Sequence, residues 1–170
     1  MSEMKTSLIT CSAIGGSYGG GVTYARELDK ALNLVGVENR LTTFDDIGSP
    51  DVLILGSIGM NGENGKSAES RNKKRFAALD KYYGKIPFVL VAHDATEIRT
   101  FRKSREYFSD KKFSAIVSVG DSPAANESIQ SNFKADIVRC IRHPFSFDHP
   151  ELFKDKTPYK NKVCSTSRIA

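Results

Sequence analysis

The alternation of short apolar runs with longer segments of helical spacing constrains the fold of this 170-residue chain more than any other feature. The clearest run, from Asp51 to Ser57, is continuous and branched, as is typical of a strand buried on both faces. No hairpin signal separates one run from the next, so successive strands need crossover connections. The alternation therefore predicts an α/β fold with a doubly wound, Rossmann-like parallel sheet.

Six strands and four helices are expected from this pattern. The predicted strands span residues 5–12, 38–44, 51–57, 86–92, 114–119 and 136–141. The predicted helices span residues 22–35, 67–83, 96–108 and about 123–133. In the first helix an apolar stripe is formed by Ala25, Leu28, Leu32 and Val35. Gly36 follows as the expected stop, because glycine tolerates the left-handed conformation that ends many helices.

Composition places the chain among ordinary globular domains, with 39% hydrophobic and 26% charged residues. The length favours a single main domain, and no apolar run approaches the roughly 18 residues of a membrane span. Cys11, Cys140 and Cys164 are far apart and lack metal-ligand spacing, so reduced thiols and no metal site are expected. These features predict a cytoplasmic protein without a membrane span.

A glycine-rich segment lies between the first predicted strand and the first predicted helix. Five glycines fall within its seven residues: Gly15, Gly16, Gly19, Gly20 and Gly21. Glycine permits close approach to a ligand, and the following helix directs free N–H groups at the loop. The spacing fits neither the dinucleotide fingerprint nor the NTPase phosphate loop. The segment predicts a phosphate-facing loop, with a flexible surface loop as the alternative.

The predicted topology indicates where a ligand would bind. In doubly wound sheets, ligands bind beyond the carboxyl ends of the strands, where the strand order reverses. If the order is 3-2-1-4-5-6, the glycine loop after strand 1 lies beside His93 and Asp94 after strand 4, with Asp121 one strand further along. An imidazole titrates near neutrality and suits general base chemistry on a hydroxyl. The alternatives are that His93 bonds a neighbouring carbonyl and that Asp121 caps a helix.

The basic residues occur in two groups, although the net charge is only +5. The first group lies within residues 71–75 and comprises Arg71, Lys73, Lys74 and Arg75. The second lies within residues 99–105 and comprises Arg99, Arg102, Lys103 and Arg105. Each group is either a solvated helix face or a surface that meets phosphates of a nucleotide or a nucleic acid.

Four segments, in order, resemble a known enzyme family. Residues 19–23 resemble the donor-side loop of GT-B glycosyltransferases. Residues 88–94, together with Arg99, Arg102 and Lys103, are similar to a strand and basic helix of the T-even phage DNA α-glucosyltransferases. Residues 117–122 look like the next strand end of those enzymes, and residues 164–168 resemble the first strand of their second domain. The resemblance covers nearly the whole chain.

The resemblance implies that this is the N-terminal, acceptor-side domain of a GT-B fold. It implies transfer of a sugar, with retention, from a nucleotide sugar such as UDP-glucose to a hydroxyl of a hydroxymethylated pyrimidine in DNA. Gly20, Gly21 and Arg168 would then bind the donor, and His93 and Asp94 would be catalytic. Arg99, Arg102, Lys103 and Asp121 would contact the acceptor or DNA, and no cofactor beyond the nucleotide sugar is implied.

The same resemblance sets the expected domain boundaries and partners. Residues 1–143 match the acceptor-side domain, and residues 144–170 match a connector and the start of a donor domain, which is expected in a longer chain or a partner chain. For a phage-encoded protein, the expected location is the host cytoplasm. Ala95 replaces a second histidine after the His-Asp pair, which leaves the identity of the acceptor open. With the donor domain expected elsewhere, two alternatives remain. One is a GT-B transferase for cell-surface or small-molecule glycans; the other is a non-catalytic binding module.

Overall fold

The computed structural model describes residues 4–10, 20–56, 66–93, 102–119 and 123–141. One sheet contains the strands β1 (Lys5–Ile9), β2 (Glu38–Thr42), β3 (Val52–Leu55), β4 (Phe88–Ala92), β5 (Lys112–Ser118) and β6 (Lys134–Cys140). The described ranges also contain the helices α1 (Gly20–Leu34), α2 (Lys66–Asp80), α3 (Arg102–Phe108) and α4 (Pro123–Asn132). All strand pairs are parallel, which confirms the predicted α/β sheet.

The strand order assumed from the sequence was wrong. The sheet runs β2-β1-β3-β4-β5-β6, so β3 separates β1 from β4. The register shows this directly, because Ile54 of β3 pairs with Leu8 on one side and with Val89 on the other. The order still reverses beside β1, so the switch point lies between β1 and β3.

The connection from β2 to β3 explains this order. Residues 43–51 cross one face of β1 without forming a helix. Within this segment, the side chains of Phe44 and Ile47 are buried. Ser7 Oγ donates a hydrogen bond of 2.8 Å to the Ile47 carbonyl, which ties the segment to β1. The Asp51 amide then donates to the Lys5 carbonyl at 2.8 Å, so β3 starts beside β1. Two buried apolar side chains on a short segment thus replace a crossover helix.

The two faces of the sheet carry different layers. On the three-helix face, α2, α3, α4 and residues 43–51 cover a core that includes Leu55, Leu90 and Ile116. On the α1 face, Tyr24 and Ala25 of α1 pack on Leu8 and Ile54. The three-helix face is the side of the sheet covered by α2, α3 and α4, and the α1 face is the side covered by α1.

Helix α1 begins two residues earlier and ends one residue earlier than predicted, with Gly36 as the predicted stop. Gly36 has a φ of +80°, and its amide donates to the Asn33 carbonyl at 3.1 Å. The Val37 amide donates to the Leu32 carbonyl at 3.0 Å, which completes a Schellman end. The predicted stripe was wrong at Val35, which is 76% exposed. Its place in the core is taken by Tyr24, at the other end of the helix.

The remaining elements agree with their predicted types. Leu79 of α2 is fully buried and Phe76 packs against the same core, as their spacing predicted. Strands β5 and β6 each begin two residues before the predicted start, and β4 begins two residues after it. The predicted helical residues 96–101 and the predicted domain boundary near residue 143 lie outside the described residues.

Candidate functional site

His93 follows β4 at the carboxyl edge of the sheet. Ala92 belongs to the core of the three-helix face, so the next residue turns towards the α1 face. The imidazole meets the Tyr24 ring edge to face, with ring centroids 5.0 Å apart and planes at 82°. This geometry is a favourable aromatic arrangement. It brings the end of β4 against the first turns of α1, the helix that follows the glycine-rich segment.

A hydrogen bond fixes the orientation of the imidazole. His93 Nε2 lies 2.8 Å from the Gly56 carbonyl oxygen. A carbonyl can only accept, so Nε2 carries the proton and donates. In the neutral ring, Nδ1 is then the atom that bears a lone pair. The ring therefore has a defined tautomer at the carboxyl edge of the sheet.

Gly56 connects three strand ends at this edge. Its amide donates to the Ile9 carbonyl at 2.8 Å, and its own carbonyl accepts from His93. A Cβ atom at this position would lie 3.0 Å from the Ile9 carbonyl oxygen, closer than such contacts normally occur. A side chain at this position would therefore need the backbone of β1 or β3 to shift by a few tenths of an ångström. The carboxyl ends of β1, β3 and β4 are linked through this one residue.

The strand order on which the predicted meeting of the glycine loop with His93 was based is not the one in the structure. β1 and β4 are not neighbours, so the two strand ends do not meet directly. His93 is instead contacted by Tyr24 of α1 and by the carbonyl of Gly56, which follows β3. Gly20 and Gly21 are the first two residues of α1 rather than loop residues. Gly15, Gly16 and Gly19 lie outside the described residues.

The other predicted site residues are not brought to His93 by any described contact. Arg102 is the first residue of α3, and Lys103 is exposed on the same helix, which packs on the three-helix face. His93 lies on the opposite side, against α1. Four predicted residues fall outside the described part of the chain: Asp94, Arg99, Asp121 and Arg168.

Tyr24 and Gly56 were not predicted to belong to the site. Tyr24 is 2% exposed, and burial raises the pKa of its hydroxyl, so the phenol is neutral at physiological pH. Sequence offered a weak signal for each residue. Tyr24 is an aromatic residue one helical turn after Gly20, on the side of the helix that faces the sheet edge. Gly56 directly follows a buried strand, where a glycine often marks a close approach of two backbones.

Two surface cavities lie away from this edge. One, of about 280 Å³, is lined by the amino ends of β1 and β2 together with residues 47–50. The other, of about 320 Å³, is lined by residues 83–88 with Lys112 and Ser114, at the amino ends of β4 and β5. Ligands of doubly wound sheets bind at the carboxyl ends, so the edge with His93 is the candidate site.

The described residues contain neither a cluster of metal-ligating side chains nor a helix suited to cross a membrane. No three His, Cys, Asp or Glu side chains in these ranges come together as metal ligands. Within the same ranges, no helix has the length and apolar character needed to span a bilayer. Cys140 is an exposed free thiol, and Cys11 and Cys164 lie outside the described residues.

Comparison with protein-family models, with curated proteins and with solved structures gives no significant match. The resemblance to glycosyltransferases therefore depends on the motifs in the sequence. The physical case for a function depends on the geometry around His93.

Proposed function

We propose that this chain is the acceptor-side domain of a GT-B glycosyltransferase. In this proposal, a hexose passes from a nucleotide sugar, such as UDP-glucose, to a hydroxyl on a hydroxymethylated pyrimidine of phage DNA, with retention. The observation that carries the proposal is the position of His93. Its imidazole lies at the carboxyl edge of the sheet, against α1, with a defined tautomer.

The chemistry of the imidazole suits an acceptor hydroxyl. With Nε2 donating to Gly56, Nδ1 is the nitrogen that carries the lone pair in the neutral ring, and general base chemistry on a hydroxyl uses such a nitrogen. The N-terminus of α1 lies on the same side of the sheet, where its free N–H groups favour an anionic diphosphate. An acceptor hydroxyl and a donor diphosphate would thus be held by two adjacent elements.

The sequence motifs supply the remaining roles in the proposal. Gly20 and Gly21 open α1, where the absence of side chains allows a diphosphate to approach the backbone. Arg168 would contact the donor phosphate, and Asp94 would act as a base or orient the acceptor. Arg99, Arg102 and Lys103 would neutralise DNA phosphates, with Asp121 near the acceptor. The donor domain would come from a longer chain or a partner chain.

The direct test is sugar transfer. The 170-residue chain is incubated with radiolabelled UDP-glucose and hydroxymethylated DNA, alone and with a GT-B donor domain added in trans. Label in the DNA, absent with unmodified DNA, is the expected result. Label in neither mixture would contradict the transferase proposal.

Replacement of His93 separates catalysis from structure. His93→Ala should lower the transfer rate by about two to four orders of magnitude, because it removes a positioned proton acceptor. His93→Gln is the matched control, since its amide can still donate to the Gly56 carbonyl but cannot act as a base. Loss of activity in both variants supports a catalytic imidazole. Near-normal turnover in His93→Gln would show that the hydrogen bond to Gly56 is what matters.

One observation favours a second candidate function. The hydrogen bond to Gly56 and the packing on Tyr24 both use His93 as a structural residue. A non-catalytic binding module with this fold needs nothing more from the imidazole. This candidate predicts ligand binding that survives His93→Gln, together with no sugar transfer in either mixture.

DNA binding distinguishes a DNA acceptor from a glycan acceptor. The triple change of Arg99, Arg102 and Lys103 to alanine should weaken binding and reduce the slope of log affinity against log salt concentration by about three. Fluorescence anisotropy with labelled duplex DNA at several salt concentrations measures this slope. Binding that is absent, or insensitive to salt, would favour the glycan-transferring alternative.

A control with the same change in net charge makes the test specific. Lys81, Lys85 and Lys134 are exposed at the amino-edge side of the sheet, away from His93. Their triple change to alanine should leave most of the salt slope unchanged. An equal loss in both triple variants would indicate a general charge effect rather than a DNA-binding surface.

A further inference from the structure

Helix α2 buries polar atoms that have no partner. Asn72 is 2% exposed, and neither its Oδ1 nor its Nδ2 atom makes a hydrogen bond. The Nη1 atom of Arg75, on the same helix, is also buried without a partner. Buried polar groups are nearly always hydrogen-bonded, and leaving them unsatisfied is unfavourable. Three such atoms within one turn of helix need a physical explanation.

The two side chains are adjacent. Residues three apart on a helix are neighbours on its surface, so Asn72 and Arg75 lie side by side. The Arg75 guanidinium lies over the Phe44 ring, 5.2 Å from its centroid, which holds it by a cation–π contact. Phe44 follows β2 at the carboxyl edge of the sheet and belongs to the core of the three-helix face. The Asn72–Arg75 pair therefore lies on this face, whereas His93 lies against α1.

Among the described residues, no carboxylate forms an ion pair with Arg75. An arginine does not lose its proton at accessible pH, and aromatic packing leaves the guanidinium N–H groups able to donate. Basic residues outnumber acidic ones five to two along α2, and Lys73 and Lys74 beside the pair are exposed. The local potential is positive, so the complementary ligand is an anion.

The donors and acceptors specify the kind of anion. Arg75 Nη1 and Asn72 Nδ2 offer N–H donors, while Asn72 Oδ1 requires a donor from the ligand. Carboxylate and sulfate ions have acceptors only. A hydrogen phosphate ion has acceptor oxygens and one O–H group, and a phosphate ester at neutral pH has the same groups in its monoprotonated form.

We infer that the Asn72–Arg75 pair binds a phosphate group that bears a proton. The phosphate is either inorganic phosphate or the terminal phosphate of a small phosphomonoester. This binding does not depend on sugar transfer at His93, because the two sets of residues lie on opposite faces of the sheet.

Thermal unfolding tests the inference on the full 170-residue chain. Inorganic phosphate near pH 7 should raise the melting temperature in a saturable manner, because a ligand of the folded state stabilises it by mass action. Sulfate at equal ionic strength should give a much smaller shift, since it offers no proton to Asn72 Oδ1. Equal shifts with the two ions, or no shift with phosphate, would overturn the inference.

Two variants connect the effect to the pair. Asn72→Leu keeps a similar volume and removes both unpaired amide atoms, so it should unfold at the same or a higher temperature without ligand. It should also weaken phosphate binding at least about tenfold in calorimetric titration. Lys74→Gln is the control, because it removes an exposed charge from the same helix and should retain the preference for phosphate over sulfate. Unchanged phosphate affinity in Asn72→Leu would overturn the inference.

A third variant and a second ligand complete the test. If Asn72→Leu does not fold, Arg75→Lys decides, because it keeps the charge and loses the forked donors. It should also bind phosphate at least about tenfold more weakly. Uridine monophosphate distinguishes the sources of phosphate. Displacement of inorganic phosphate by the nucleotide identifies a phosphomonoester ligand, and no displacement identifies the free ion; both outcomes support the pair as the site.

Discussion

The two faces of the sheet differ in how they are covered, and this difference locates the candidate site. Among the residues that the structure describes, the core of the three-helix face contains 14 buried hydrophobic residues, whereas that of the α1 face contains six. On the α1 face, Val117 of β5 remains half-buried and Ile137 of β6 is 49% exposed. His93 lies on the α1 face. The candidate catalytic residue is thus on the side where the described residues form the smaller core.

The handedness of crossover connections explains the asymmetry. Connections between parallel strands are right-handed, so steps in opposite directions along the sheet place their helices on opposite faces. The step from β1 to β2 runs in one direction along the sheet, and its connecting helix, α1, covers the α1 face. The steps from β2 through β6 run in the other direction and cover the three-helix face. A switch point next to the first strand therefore leaves one face with less cover.

The comparison predicts different costs for the same core substitution on the two faces. Leu90, on the three-helix face, and Leu8, on the α1 face, are both completely buried. Leu90→Ala should lower the free energy of unfolding by about 3–5 kcal/mol, near the upper end for such changes. Leu8→Ala should cost about 1 kcal/mol less, because a single covering helix can shift into the space. Urea denaturation of both variants measures the difference, and a larger cost for Leu8→Ala would contradict the proposed asymmetry.

Gly56, at the strand end beside His93, should not tolerate the addition of a methyl group. Gly56→Ala should destabilise the protein by about 1–3 kcal/mol, because the added Cβ meets the Ile9 carbonyl oxygen. Gly36→Ala is the comparison on the same face. Nothing lies within 4 Å of its added Cβ, so only the positive φ is unfavourable and the cost should be about 1 kcal/mol.

Transfer activity sharpens the glycine comparison. Gly56→Ala displaces the carbonyl that holds His93, so it should also lower the transfer rate, whereas Gly36→Ala should not. Equal stability losses, with no difference in activity, would show that Gly56 does not position the imidazole.

Alkaline pH should weaken both faces, because each carries a tyrosine whose pKa is raised by burial. Burial raises the pKa of Tyr24 on the α1 face. The pKa of Tyr107 on the three-helix face is raised by burial and then by the hydrogen bond that its hydroxyl donates to Asp80 at 2.6 Å. The unfolded chain ionises both phenols near pH 10, while the folded chain keeps them neutral. Their contribution to stability is therefore complete below about pH 10 and falls as the pH rises above it.

Phenylalanine variants test this assignment. For Tyr24 the loss amounts to at most about 1.4 kcal/mol per pH unit, and solvent screening makes it smaller for the more exposed Tyr107. Urea denaturation between pH 9 and pH 11 should show a shallower decline in Tyr24→Phe and in Tyr107→Phe than in the parent. An unchanged decline in Tyr24→Phe would mean that this phenol ionises equally in both states.

The candidate site was only partly predictable from the sequence. His93 was expected at the carboxyl edge, because it directly follows a continuous apolar strand. The residues that hold it were not expected, since Tyr24 and Gly56 come from elements distant in sequence. The paired role of Asn72 and Arg75 was also hidden. In the sequence Arg75 was one member of a basic group, and burial without a partner is a property of packing alone.

By itself, the sequence determined the types of the elements, their alternation and therefore the parallel sheet. Local patterns suffice for this, because the spacing of apolar residues and the glycine at position 36 act within a few residues. The tertiary structure alone decided the order of the strands. That order depends on residues 43–51 burying Phe44 and Ile47 across β1, a long-range preference that no local spacing encodes. The surroundings of His93 follow from that order, since β3 carries Gly56 between β1 and β4.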